Sequence, residues 1–279
     1  MSDMHSINEA INKRAGRKLL PSIAVSLFLV ALIWFALAYR AEIFTIVVAV
    51  ALAFGIREIV RAFNLRGTYL SLYGLLIATF VISYATWRDG IAGLAVATAV
   101  ALSLLLVELL TKGPEGFVAS ATATVFSLLY LPFLGGFLIL LGRQSSGLEQ
   151  VMSFVVLVGC NDTFGYFVGV LIGKHPLVPK ISPKKSWEGL FGSLIFTVIG
   201  GVLACTYILS MQWWIGVVIG LIIVFSATCG DLIESAMKRD LALKDMGSLL
   251  PGHGGMLDRL DSVLICAPVF WLALELVQA

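Results

Sequence analysis

The sequence predicts an all-α, polytopic integral membrane protein with about nine transmembrane helices and a cytoplasmic N-terminus. Three observations carry this reading: an apolar composition, nine apolar stretches of spanning length, and basic residues gathered in alternate connections. Hydrophobic residues make up 59% of the 279 and charged residues 13%, where a soluble domain carries about 25% charged residues. That leaves too little polar side chain to cover a globule of this size. Large apolar patches would stay exposed to water, and a bilayer removes the problem.

A spanning helix needs about 20 mostly apolar residues. Such stretches fall at about 19–38, 43–63, 68–86, 91–111, 117–141, 148–172, 189–209, 212–230 and 262–278. With the N-terminus in the cytoplasm, sixteen of the nineteen Lys and Arg residues fall on the cytoplasmic side. Only Arg40, Arg88 and Arg143 fall on the other. Positive charge marks the cytoplasmic loops, so the expected topology is N-in and C-out. Three regions follow: a cytoplasmic segment 1–18, N-terminal spans 19–140, and C-terminal spans 141–279. The first 18 residues are polar and lead into an apolar run without a small-residue cleavage site, so an uncleaved first span is expected there. Net charge is +2, which gives no basic surface to suggest a nucleic-acid partner. Cys160, Cys205, Cys229 and Cys266 lie in or beside apolar runs with no CxxC spacing. They read as small hydrophobes rather than disulfides or zinc ligands.

Two cytoplasmic loops, about 173–188 and 231–261, are long, polar and rich in turn residues. Loops of this kind on one face of a bundle are where chemistry is placed. In GDLIESAMKRD, Asp231, Glu234, Ser235 and Lys238 stand at i, i+3, i+4 and i+7 and share one face of a helix. Carboxylates at membrane depth face a watery cavity or a partner; the plainer alternative is a helix end with solvated charges. In LLPGHGGMLDRLDS, Pro251, Gly252, Gly254 and Gly255 surround His253 in a stretch that cannot be regular helix. Asp258 and Asp261 follow, three apart, at the start of the last span. A helix N-terminus there offers free N–H groups to an anion; the plainer alternative is that one aspartate caps the helix.

Together these carboxylates, with Lys238, Arg239, Lys244 and Arg259 beside them, suit a magnesium–polyphosphate site. No His or Cys pair has zinc-ligand spacing. The 173–188 loop adds SPKKSWEG, with Ser182, Lys184 and Lys185 available to phosphate groups and Trp187 as an interfacial anchor or a base-stacking surface. Asn161 and Asp162 interrupt an apolar span and read as a polar cavity wall, or alternatively as an interhelical hydrogen bond. Over residues 1–140, Glu108 and the Arg57, Glu58, Arg61 group read as headgroup contacts or ion pairs.

The string SAMKRDLALKDMGSLLPGHGGMLDRLD, residues 235–261, resembles the signature of the phosphatidate cytidylyltransferases, the CDP-diacylglycerol synthases of bacterial type. The likeness runs through Ser235, Lys238, Arg239, Lys244, Asp245, Pro251, His253, Gly254, Gly255, Asp258, Arg259 and Asp261, and GKHPLVPKISPKKSWEG resembles a second recurrent segment. It covers about residues 155–262; Asn161 departs from the small residue expected before Asp162. The resemblance implies transfer of CMP from CTP to phosphatidic acid, Mg2+ dependence and a homodimer. The site would face the cytoplasm from the inner membrane. It also implies metal binding by Asp231 and Asp261 with Asp258 as a neighbour or further ligand, and catalytic work by these and Lys238. Substrate contacts would fall to Asp162, Ser182, Lys184, Lys185, Ser235, Arg239, Lys244, Asp245, His253, Gly254, Gly255 and Arg259. A CTP-using lipid kinase, a transporter and a catalytically dead scaffold are the rival readings. The CDP-alcohol phosphatidyltransferase spacing is absent.

Overall fold

A helix covers each of the nine apolar stretches. The computed structural model describes residues 19–243, 245–247 and 255–278. In chain order the helices are α1 (Leu19–Tyr39), α2 (Ala41–Leu65), α3 (Leu72–Leu110), α4 (Phe117–Leu128), α5 (Leu134–Gly142), α6 (Gly147–Ile172), α7 (Trp187–Leu203), α8 (Trp213–Asp240) and α9 (Leu257–Gln278). Two short strands, β1 (Pro176–Val178) and β2 (Ser182–Ser186), pair antiparallel between α6 and α7. Among the described residues, seven helices are long and apolar enough to cross a membrane, counting α4 and α5 as one. The protein is a multi-pass membrane protein.

The 39 residues of α3 would make a straight rod of about 58 Å, twice a hydrocarbon core of about 30 Å. The rod is broken at Gly90, whose φ of 69° and ψ of −140° no residue with a side chain adopts readily. The two arms fold back on one another. A Cβ at Gly74 would lie 2.6 Å from Leu105 Cδ2, whereas 31 residues of straight helix would separate them by about 46 Å. The predicted stretches 68–86 and 91–111 are therefore the two arms of one helical hairpin. A second irregularity joins α4 to α5. Pro132 cannot donate a backbone hydrogen bond, and the chain passes it as a π-helical turn, Leu129–Phe133.

The C-terminal helices pack in sequence, α6 on α7, α7 on α8 and α8 on α9. The last helix also packs on α6 and, through α5, on the N-terminal half. Phe270 lies 5.3 Å from Phe154, and Trp271 meets Phe137 edge-on at 5.5 Å. Large apolar side chains such as Val96, Leu104, Phe225 and Leu276 point outward, as they must if lipid is their solvent. Arg88 and Arg143 meet at one end of the bundle, with Gln144 bonded to Glu275. Arg66 joins the end of α8 at the other end, where the β-hairpin also lies. Arg88 and Arg143 thus lie at one end, and Arg66, Arg239 and the hairpin lysines at the other.

Gly90→Ala is expected to destabilise the protein by about 1–3 kcal/mol, the strain of forcing a side chain into this conformation. Thermal unfolding in detergent measures it.

Candidate active site

The polar face of the eighth helix builds one wall of a cavity of about 740 Å³. The sequence places the end of this span at 230 and a loop from 231. The helix instead continues for ten more residues, to Asp240. It can do so because Asp231, Glu234, Ser235 and Lys238, one helical face, all line the cavity and need no lipid contact. The last helix likewise starts at Leu257, ahead of the expected 262.

The two helices touch backbone to backbone at the level of the carboxylates. A Cβ at Gly230 would overlap the Asp261 carbonyl oxygen and stand 2.9 Å from Ser262 Cα. Only glycine allows that approach, and it brings Asp231 of α8 beside Asp261 of α9. Asp162 joins them from α6. It accepts from Asn161 Nδ2 at 3.0 Å and from Ser262 Oγ at 3.5 Å.

The β-hairpin carries the cations to this cluster. Its base is closed by Glu188, which accepts from the backbone N–H of Lys174 at 3.1 Å and contacts His175 Nδ1 at 2.6 Å. Ser186 caps α7 by accepting from Gly189 N at 3.1 Å. Between these anchors β2 directs Lys185 onto Asp231, an ion pair, and places Lys184 on the cavity wall. Arg239 Nε donates to the Ile181 carbonyl at 3.4 Å and so ties the hairpin turn to α8.

A second ion group lies deeper. Lys238 pairs with Glu234 one turn away and with Asp258 at 2.9 Å. Asp258 Oδ2 accepts from Gly255 N at 2.7 Å and from Met246 N at 3.3 Å. Both its oxygens are therefore engaged, and it organises the start of α9. The plainer reading of Asp258, a helix cap, describes it better than a metal ligand. The remaining anions are crowded: Asp261 lies within electrostatic reach of Asp231, Glu234 and Asp162. Glu234 Oε1 and Asn161 Oδ1 are buried with no hydrogen-bond partner. Such a cluster of oxygen donors attracts cationic charge beyond the two lysines. Among the described residues no three His, Cys, Asp or Glu side chains are arranged to hold a metal alone. A metal here would share Asp231 and Asp261 with oxygens of substrate or water, which is how magnesium is usually held.

Most of the residues singled out from the sequence converge. Asp162, Lys184, Lys185, Asp231 and Ser235 line the cavity, as do Lys238, Asp258, Arg259 and Asp261. Four do not. Ser182 and Arg239 belong to the hairpin and its strut, Asp245 is exposed beside α8, and Gly255 packs on Glu58. Trp187 is 49% exposed and outside the cavity. Lys244, Pro251, Gly252, His253 and Gly254 lie outside the described residues. The expectation that the α9 N-terminus is free for an anion fails. Glu58 of α2 accepts from Met256 N at 2.9 Å and Leu257 N at 2.8 Å, and Asp258 takes Gly255 N. Glu58 is 8% exposed, a buried cap rather than a headgroup contact. Nothing in the sequence near Glu58 points to a partner some 200 positions away.

Comparison with known proteins agrees with this construction. The sequence profile of the Cytidylyltransferase family matches residues 21–277. The chain is 37% identical to the phosphatidate cytidylyltransferase of Mycobacterium leprae (strain TN) over 279 residues, covering 94% of this chain and 89% of that one. It is 36% identical to the phosphatidate cytidylyltransferase of Mycobacterium tuberculosis (strain ATCC 25618 / H37Rv) over 276 residues, 94% of this chain and 84% of that one. A phosphatidate cytidylyltransferase of Staphylococcus saprophyticus is 33% identical over 204 residues, 72% and 76% of the two chains.

Removing the buried cation should be more harmful than removing the whole ion group. Lys238→Met leaves Glu234 and Asp258, whose side chains are 2% and 6% exposed, without their partner. A loss of about 3–5 kcal/mol is expected. Adding Glu234→Gln should restore part of it, read as the coupling in a double-mutant cycle of unfolding midpoints.

Proposed function

The chain belongs to the Cytidylyltransferase family, and from that premise we propose that it transfers CMP from CTP to phosphatidic acid, giving CDP-diacylglycerol and pyrophosphate for phospholipid synthesis. The observation that carries this reading is the cavity itself. Asp231 and Asp261 meet there from helices in backbone contact, with Lys184, Lys185, Lys238 and Arg259 around them. Tyr166, Val170, Leu177 and Leu190 share its wall. A lipid phosphate can therefore reach the charged residues while its tails remain beside apolar surface.

The reaction is an in-line displacement. A phosphatidate oxygen attacks the α-phosphorus of CTP and pyrophosphate leaves. A phosphate monoester loses its second proton near pH 6, so the nucleophile is already anionic at neutral pH and no strong base is required. The obstacle is the approach of two anions, and positioned cations remove it. Magnesium, when bound, neutralises triphosphate charge and orients the leaving group. Asp231 and Asp261 would hold it; Asp258, with both oxygens engaged, would not. Lys184 and Lys185 come from the hairpin and Arg259 from α9, so the phosphate groups would meet cations from two separate elements. Lys185 is paired with Asp231, and an incoming phosphate competes with that carboxylate for the ammonium. Lys238 is committed to Glu234 and Asp258, which makes it a stabiliser of the frame as much as a phosphate ligand.

The same reading places the cavity on the cytosolic face of the inner membrane, where CTP is available. It gives nine crossings with the N-terminus inside, and includes the homodimer that the family resemblance implies. The end of the bundle bearing the cavity is also the more basic end, which supports this orientation.

Two measurements test the proposal. Purified protein in detergent with magnesium should move label from cytidine-labelled CTP to phosphatidic acid, and Asp261→Asn or metal chelation should lower the rate by about 10²-fold or more. Label arriving only from the γ-phosphate would identify a kinase instead. For orientation, a membrane-impermeant thiol reagent applied to intact cells should modify Arg88→Cys and spare Asp245→Cys. The reverse pattern would invert the topology.

A further inference from the structure

One helix of the N-terminal half grips both ends of the connection that carries the signature residues. Arg66, just beyond the end of α2, donates from Nε at 2.8 Å and Nη2 at 2.6 Å to the carbonyl of Leu241, the residue that ends α8. Two turns back, Glu58 accepts from the first backbone N–H groups of α9. The charges match what each helix end presents: a cation at exposed carbonyls, an anion at exposed amides. Gly247 and Gly255 also pack against the carboxylate, since a Cβ at either would overlap Glu58. Neither Glu58 nor Arg66 lines the cavity.

We propose that Glu58 and Arg66 are positioning residues for the transfer reaction: the end of α2 is a clamp that sets the spacing between α8 and α9, and so the spacing between Asp231 with Lys238 on one helix and Asp258 with Asp261 on the other. The proposal rests on the cytidylyltransferase reading for its effect on rate, but not for its effect on structure. Gly230 fixes where the two helices touch. It does not fix how far the end of α8 and the start of α9 splay above that contact, because the chain between them is long and rich in glycine. The Lys238–Asp258 pair ties the two ends at one point, and the two charged side chains at the end of α2 hold each end from outside the cavity. A misplacement of about 1 Å among reacting groups lowers a rate by about 10²-fold, so a small splay would be felt in turnover before it is felt in folding.

The test uses the full-length protein in detergent, as wild type, Glu58→Gln and Glu58→Asp. Glutamine keeps one acceptor oxygen but turns an NH2 group toward the second backbone N–H. Glu58→Gln is expected to lower kcat by about 10- to 100-fold and to leave the KM for CTP within about threefold. Hydrogen exchange followed by mass spectrometry should show faster exchange confined to peptides spanning 241–262. Glu58→Asp retains both oxygens and should recover part of the rate and part of the protection. Unchanged exchange over 241–262 in Glu58→Gln would overturn the clamp. Faster exchange with kcat at the wild-type value, or a loss of rate that matches only a loss of folded protein, would overturn the positioning role. If wild type itself transfers no CMP, the reaction assignment fails, and the exchange measurement alone then decides whether α2 holds the two helix ends.

Discussion

The backbone contact between α8 and α9 at Gly230 is the constraint from which the site follows. Two carboxylate-bearing helices do not approach one another for electrostatic reasons; Asp231 and Asp261 repel. They are brought together because Gly230 carries no side chain to hold the backbones apart at that level. Within a bilayer, close packing of this kind is a main source of helix association, since lipid tails compete on equal terms with any apolar side chain. Packing energy gained along the rest of the helix pair therefore holds the two anions at a separation they would not choose. The repulsion is then available to a cation. In this sense the glycine belongs to the chemistry as much as the aspartates do.

The bundle manages the resulting charge in two ways. Where the anions serve structure, the compensation is complete and internal. Asp258 has Lys238 and two backbone N–H groups, and Glu58 has two more. Where they meet at the α8–α9 contact, compensation is partial. Lys185 reaches Asp231 from a hairpin rather than from the bundle, and Asp261 accepts within the bundle only from the adjacent Ser262 N–H among the described contacts. A buried polar group left incompletely satisfied is destabilising, and natural proteins accept that most readily at functional sites. The carboxylates left incompletely satisfied are those at the α8–α9 contact, which is the arrangement expected if substrate and metal supply what the protein withholds.

The legible part of this structure was whatever repeats locally. Apolar runs gave the spans, and the i, i+3, i+4, i+7 spacing of Asp231, Glu234, Ser235 and Lys238 placed them on one face. Asp258 and Asp261, three apart, marked the other side of the same site. Hydropathy alone misplaces a boundary where it parts company with helicity. A polar stretch after an apolar run reads as a loop, but from 231 to 240 a cavity replaces lipid on that face and the helix simply continues. The pairing of β1 with β2 and the role of Arg239 as a strut depend on which turn the hairpin adopts, and single residues do not announce that. Glu58 was hidden for a different reason. Its partners are backbone amides, which every residue has, so no pattern of side chains could have pointed from α2 to α9.

The clamp also bears on where phosphate can bind. A glycine-rich turn leading into a helix N-terminus is commonly an anion site, because free amides and the helix dipole converge there. In this protein the described amides at that terminus are occupied by Glu58 and Asp258. A negatively charged substrate meets carboxylates at that point, not donors. On the proposed reaction, recognition of the triphosphate and the lipid phosphate would then fall to side-chain cations and to a metal held by Asp231 and Asp261. That division explains why the signature mixes acids and bases so densely. One set of charges is spent on fixing the helices and the other, from the hairpin and the cavity face, is left to meet phosphate.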